Sequence, residues 1–381
     1  MPIALVVVAT VLTHTAFNGG RLAISLTALA AGATPFTVGV LMSLIAALPM
    51  LLAVPAGRLV DRIGVRYPIL AGVALLGLSV SVPAAFHVVP ALYVAAAGSG
   101  LGFMLFHISI QHAVGESSTE AKRRDAFGWL SLGFSISNFL GPTVAGFSID
   151  AIGHRGTFAV VSVFAAASLA VLATRRHHFR HSPHRRHDGV PRRARELLAN
   201  PELRRVFVVT GLLASAWDLF TFAVPVYGNS IHLSASTIGL ILASFALATF
   251  VVRVALPWIS RRLREWTMIT ATFAIACVAY AFFPMVRTVP LLATIAFLLG
   301  LGLGATQPSI LSLLYAMAPA GRGAEAVGVR SFVLAASSTF LPLAFGGAGE
   351  ALGMLPVFWA MASALAGGGL IANRRRAAGP S

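Results

Sequence analysis

The sequence predicts an all-α membrane protein with twelve transmembrane helices in two pseudo-symmetric six-helix bundles. Three observations predict it. Of 381 residues, 57% are hydrophobic and 10% charged, whereas soluble domains carry roughly 25% charged residues. A water-soluble fold of this length cannot cover that much apolar surface. Cut at prolines, glycines and charge clusters, the chain falls into twelve apolar stretches of about the 20 residues that cross about 30 Å of hydrocarbon as a helix. The sequence also matches itself at a shift of 200 positions.

In order, the stretches run 3–29, 35–57, 68–87, 90–114, 126–149 and 156–173, then 206–229, 235–259, 266–286, 289–315, 326–348 and 352–372. Met1-Pro2-Ile3 has no basic region and leads straight into the first stretch, which is therefore expected to be a retained span and not a cleaved signal peptide. The first span is long enough to tilt or to end near Arg21.

The 28 Lys and Arg against 12 Asp and Glu give a net charge of +16, which on its own would suit a nucleic-acid binder. Position decides otherwise. All but Arg21, Arg253, Arg155 and Arg287 are counted with the loops after spans 2, 4, 6, 8 and 10 or with the C-terminal tail, Arg330 included although it stands a few residues inside the stretch 326–348. By the positive-inside rule those loops and both termini face the cytoplasm. The basic excess is topological, and no nucleic acid is expected as a partner. The lone lysine, Lys122, precedes Arg123 and not Ser or Thr, which excludes a Walker A phosphate loop. Cys277 is the single cysteine, so no intrachain disulfide or cysteine metal cluster is available.

Under the 200-residue shift Thr37-Val38-Gly39 meets Thr237-Ile238-Gly239, and Gly100-Leu101-Gly102 meets Gly300-Leu301-Gly302. Asp125-Ala126-Phe127-Gly128 meets Glu325-Ala326-Val327-Gly328, and Pro142 meets Pro342. A repeat containing an even number of spans inserts both copies with the same topology, and such parallel repeats place binding sites near the bilayer midplane where the copies meet. The expected division is 1–173, a basic linker 174–205, and 206–381. His177, His178, His181, His184 and His187 in the linker are read as part of a solvated basic strap on anionic lipid headgroups, with a metal-binding tract as the alternative.

After span 2, Gly57-Arg58-Leu59-Val60-Asp61-Arg62-Ile63-Gly64-Val65-Arg66 resembles the GxLaDRxGRK signature of the major facilitator superfamily. Gly57 is expected to permit close helix approach. Asp61 is expected to accept from a helix N-terminus or an arginine as a breakable cytoplasmic latch, with Arg62, Gly64 and Arg66 completing the loop. In span 5, Gly128, Ser137, Gly141-Pro142 and Ala145-Gly146 are similar to the G(x8)G(x3)GPxxGG motif of drug-exporting members, with small residues for close packing and Pro142 for a bend. Val94 stands about where drug:proton antiporters of the superfamily have an arginine, and span 1 lacks their paired prolines, which weighs against a multidrug exporter.

The resemblance implies a two-bundle fold in which spans 1, 4, 7 and 10 line a central cavity. Under the repeat shift Asn18 in span 1 pairs with Asp218 in span 7, and His107 in span 4 with Gln307 in span 10. Asp218 is the acid that falls mid-span. An ionisable group at that depth is costly, and by default it faces a cavity and serves function. Asp218 is read as a proton carrier or cation ligand, with a static ion pair to Arg21 as the alternative. Arg21 binds an anionic substrate group or holds Asp218, His107 relays protons or bridges helices, and Trp217 stacks on substrate or packs. The resemblance thus implies an alternating-access transporter of a small organic solute, leading with proton-coupled efflux, and the heavy use of Arg over Lys with short extracytoplasmic loops fits a bacterial inner membrane. An uptake symporter or uncoupled facilitator is the near rival, and a membrane-embedded sensor or enzyme is disfavoured for want of a catalytic constellation. Expected partners are the small-molecule substrate, protons and membrane lipid. The chain is expected to be monomeric, without cofactor or resident metal.

Overall fold

The structure, a computed structural model, describes residues 2–86, 88–117, 120–174, 199–259, 261–318 and 323–377. Its regular elements among these residues are helical: α1 (Ile3–Ala30), α2 (Pro35–Ile63), α3 (Arg66–Ala85), α4 (Val89–Ser117), the stretch Glu120–Thr174, α7 (Pro201–Ser230), α8 (Ala235–Ile259), α9 (Glu265–Phe282), α10 (Val289–Met317), α11 (Gly323–Leu352) and α12 (Met354–Ala377). Glu120–Thr174 leaves helical geometry at Gly153 (φ 75°), and its limbs before and after that residue are α5 and α6. Among the described residues, eleven stretches are long and apolar enough to cross a membrane. The Gly153 turn divides one of them in two, in agreement with the twelve spans read from the sequence.

The chain divides into two compact units, Met1–His187 with Gly228–Ala243, and Asp188–Tyr227 with Ser244–Ser381. Most of the expected linker 174–205, with its five histidines, lies outside the described residues. Its last part is already helix, because Asn200 Oδ1 accepts from the Glu202 N–H (2.9 Å) ahead of α7 and Pro201 takes the first helical position. Apolar counting begins where charges end, whereas a helix begins at its cap.

The repeat is written into local geometry in both units. Thr34 Oγ1 accepts from the Thr37 N–H (3.3 Å) to cap α2, and Ser234 Oγ accepts from the Thr237 N–H (3.2 Å) to cap α8. The turns after α1 and α7 pass through the left-handed region at Gly32 (φ 81°) and His232 (φ 60°), and those after α5 and α11 at Gly153 (φ 75°) and Gly353 (φ 82°). A Cβ on Gly100 would collide with the Ile45 carbonyl, and one on Gly300 with the Phe245 carbonyl. Asn18 bonds Asn138, and Asp218 bonds Ser338. Each pair moves onto its counterpart under the same 200-residue shift, including where the residue type has changed.

Lipid offers no hydrophobic drive between helices, so close van der Waals contact must hold them together. At one crossing α3 and α4 meet backbone to backbone. A Cβ on Gly72 would sit 2.6 Å from the Gly102 carbonyl oxygen, and one on Gly102 2.6 Å from that of Gly72. Gly102→Val is therefore expected to force the helices apart at about 1–3 kcal/mol, read as a lower thermal midpoint in detergent. Gly57→Ala should leave the midpoint unchanged, since a Cβ there meets nothing within 4 Å. Equal midpoints for the two variants would refute this packing.

Candidate functional site

In the first unit, α1 carries His14, Asn18 and Arg21 on one face by helical spacing. His14 is buried, 9% exposed, with Nδ1 2.6 Å from Ser137 Oγ on α5. Asn18 Nδ2 donates to Asn138 Oδ1 of α5 (2.9 Å) and lies 3.3 Å from His14 Nε2. Gly141 makes this approach possible, for a Cβ there would stand 2.6 Å from Asn18 Cβ and 3.0 Å from the Gly19 nitrogen. From α4, Phe103 stacks on Phe17 (centroids 4.1 Å apart), on His14 (5.0 Å) and on His107 (5.4 Å). Phe134 of α5 meets both histidine rings edge-on at 5.0 and 5.2 Å. His107 Nε2 accepts from the Gln111 amide at 2.8 Å, and the Arg21 guanidinium sits 5.9 Å from the Phe17 ring centre. Asn18, Arg21 and His107 thus belong to one cluster. Its centre, His14 and Phe103, was not singled out by the sequence reading.

In the second unit, Ser338 Oγ on α11 reaches both oxygens of Asp218, at 3.1 and 3.0 Å. A hydroxyl has one hydrogen, so it donates to one oxygen at a time. Trp217 packs its edge against Phe245 (4.7 Å), and the Tyr280 hydroxyl donates to the carbonyl of Ala216, which immediately precedes Trp217 and Asp218. Gln307 Oε1 accepts from Arg330 of α11. Arg330 corrects the charge map: the sequence reading counted it among the loop residues, but it lies well inside α11 and is 9% exposed.

At the loop between α2 and α3, Gly64 (φ 77°) closes α2 with its N–H on the Val60 carbonyl at 2.9 Å, which requires the left-handed freedom of glycine. Asp61 Oδ1 lies 3.5 Å from His112 Nε2 of α4, a partner the sequence reading did not name. Arg62 is exposed, and the Arg66 guanidinium lies 5.6 Å from the Tyr67 ring centre. Gly57 departs from expectation. A Cβ there would meet nothing within 4 Å among the described residues.

Small residues of α5 lie against other helices at two places. Beyond the Gly141 contact with α1, a Cβ on Gly239 of α8 would collide with the Pro142 carbonyl, and one on Gly146 would lie 2.5 Å from the Ala235 carbonyl oxygen. Just past this contact Asp150 caps α8 from another helix: Oδ1 accepts from the Ala235 N–H (3.2 Å) and Oδ2 from the Ser236 N–H (2.8 Å). A carboxylate at a helix N-terminus completes unsatisfied donors and meets the positive end of the dipole. Asp150 stands just beyond the apolar stretch 126–149. Partial burial pushes its carboxyl up, but hydrogen bonds from the Ser236 side chain and N–H, the Ala235 N–H and the Ser234 side chain outweigh that and hold it below its ordinary value. The sequence offered one cue to it, since Asp150 and Glu350 are both acids under the repeat shift.

A family model described as Major Facilitator Superfamily matches residues 6–342 and again 206–378. Among solved structures, a POT family transporter in complex with a thioalcohol conjugated peptide superposes with a TM-score of 0.81 at 13% identity, over 97% of this chain and 94% of that one. The peptide transporter POT in complex with sulfate gives a TM-score of 0.81 at 16% identity, over 98% and 93%. A bacterial homologue of the human lysosomal transporter Spinster, inward-facing and occupied, gives 0.77 at 15% identity, over 96% and 95%. No curated protein matches the sequence. At these identities the structural likenesses carry the fold alone. The family model goes further, because it covers most of the chain. The chain belongs to the major facilitator superfamily.

Proposed function

We propose that this transporter moves a small organic solute by alternating access, coupled to protons and in the direction of efflux. Asp218 carries the reading. It is a carboxylate in the middle of α7, half-buried and hydrogen-bonded by Ser338. A charge at that depth is expensive unless a cycle uses it. The span 5 motif supports efflux, with Gly141 tight against α1 and the Pro142 carbonyl against Gly239. The ligands named for solved neighbours, a peptide conjugate and 5-aminolevulinic acid, support a small organic solute as the cargo.

In this reading the bundles 1–173 and 206–381, joined by the linker 174–205, work as a monomer in a bacterial inner membrane. Both termini are cytoplasmic, and lipid contacts the basic loops. The Asp61 loop serves the cytoplasmic closure and the Asp150 cap the opposite one. Trp217, Gln307, Asn18, Arg21 and His107 contribute to substrate and proton binding. The test is a solute panel assayed for flux in proteoliposomes with and without an imposed pH gradient. At least one solute should accumulate uphill only with the gradient; transport indifferent to the gradient for every transported solute would refute coupling.

Asp61→Asn keeps the shape of the side chain and removes the charge that faces His112. It is expected to slow flux several-fold with the yield of folded protein unchanged. Loss of folded protein, with unchanged specific activity in what remains, would make Asp61 a structural residue.

A further inference from the structure

We infer that Arg330 of α11, held by Gln307 of α10, is an oxyanion subsite of the second unit, and that the transported solute carries a carboxylate or phosphate group for it. The inference rests on the transport reading and adds a charge to the cargo. Arg330 lies about two turns into α11, which begins at Gly323, and the protein covers it to 9% exposure. A guanidinium has five N–H donors and no acceptor. Gln307 Oε1 accepts from Nη2, while Nε is buried with no hydrogen-bond partner. Among the described residues Arg330 makes no ion pair. Asp218 is held at Ser338, eight residues further along α11, which is about 12 Å of helix rise from Arg330.

The repeat shows that the fold does not need a cation at this position. Under the 200-residue shift Arg330 falls on Leu130, 3% exposed in an apolar cluster with Ala9, Phe106 and Ile110. Gln307 falls on His107, which is bonded within its own helix to Gln111, whereas Gln307 reaches across to α11. One place in the bundle thus holds a leucine in the first unit and a guanidinium in the second. A charge taken out of water is destabilising unless an opposite charge or a full set of acceptors replaces the water, and one neutral amide oxygen is neither. Snorkelling would carry the head group to the outer surface, but Arg330 is inside the protein.

An Nε–H beside an amino N–H is the edge that grips a carboxylate or phosphate through two parallel bonds. Gln307 fixes the fork at Nη2 and leaves Nε for the anion. The second unit then has a carboxylate, Asp218, for the proton and a separate guanidinium for the anionic group of the solute.

The test is the thermal midpoint of the full chain in detergent, with sodium chloride exchanged for sodium acetate or sodium phosphate at constant ionic strength. A ligand of the folded state raises the midpoint saturably, by about 2 °C at tenfold excess over Kd. Gln307→Glu puts a carboxylate on the fork. It should raise the midpoint without added anion and abolish the response to acetate and phosphate. Arg330→Gln should abolish the response too, and Gln307→Glu decides alone if that variant does not fold. No saturable rise in the parent protein, or an equal rise in Gln307→Glu, would overturn the inference. So would a rise given by added phosphatidylglycerol but by neither soluble anion, which would assign the fork to a lipid phosphate. In proteoliposomes a transported acid should be carried in preference to its neutral amide; equal transport of the two would refute the charge assigned to the cargo. The midpoints need no flux. If flux ignores the pH gradient while the anion response stands, the coupling reading falls and the subsite stands. If uphill flux follows the gradient in a protein without the response, the subsite falls and coupling stands.

Discussion

Asp218→Asn is expected to reduce accumulation against a gradient to the level of empty vesicles while sparing downhill exchange. Asparagine preserves size and can still accept from Ser338, so binding geometry survives and titration does not. The loss therefore falls on coupling. Asp218→Glu should keep part of the activity with a displaced pH profile. Ser338→Ala removes the hydroxyl that reaches both carboxylate oxygens. Hydrogen bonds to charged groups contribute about 1.5–3 kcal/mol, so that variant should displace the pH profile by about one to two units. Uphill transport by Asp218→Asn at the wild-type rate, with unchanged pH dependence, would remove Asp218 from the coupling path.

Asp150→Ala is expected to loosen the start of α8. Losing a capping side chain costs about 0.5–2 kcal/mol, which corresponds to a roughly 2- to 30-fold larger population in which α8 is released from α5. A buried reporter reads this directly. Ile238 is 1% exposed, and Ile238→Cys in a Cys277→Ser background should react faster with an impermeant maleimide once Asp150 is removed. The acid dependence has a definite sign. The carboxyl is held below its ordinary value in the folded state, so the cap is fully present above that ordinary value and is lost as pH falls through the lowered one. Acid should therefore mimic Asp150→Ala in the parent protein and change little in the variant. Equal labelling rates in parent and variant would mean that the cap does not hold the junction.

Spans and repeat were legible because both are carried by local pattern: apolar length for the spans, and for the repeat a shift that brings Gly100 onto Gly300 and Thr37 onto Thr237. The structure extends the repeat to features that sequence matching alone cannot weigh, such as the left-handed turn kept at His232 where the first half has Gly32. The polar cluster was legible only at Asn18, Arg21 and His107. His14 stands one turn from Asn18, but its significance comes from Ser137 and Phe103, which reach it from α5 and α4. No local window contains all three.

Charge marks a loop only by default, and Arg330 breaks that rule as a buried cation inside a helix, received by Gln307. Asp150 is not legible in a local pattern because its partners, at the start of α8, lie some 85 residues away in the chain. Gly57 shows the opposite failure, a motif glycine whose expected contact is missing in this conformation.

The central claim, that solute and proton move through one cycle with Asp218 in the path, is tested most directly by substrate-elicited proton movement. Proteoliposomes with an entrapped pH dye and no imposed gradient receive a transported solute, and internal pH is followed beside solute flux. The account predicts a pH change that tracks flux in the wild-type protein and vanishes in Asp218→Asn, with downhill exchange retained in both. Solute flux without a pH change in the wild-type protein would contradict it.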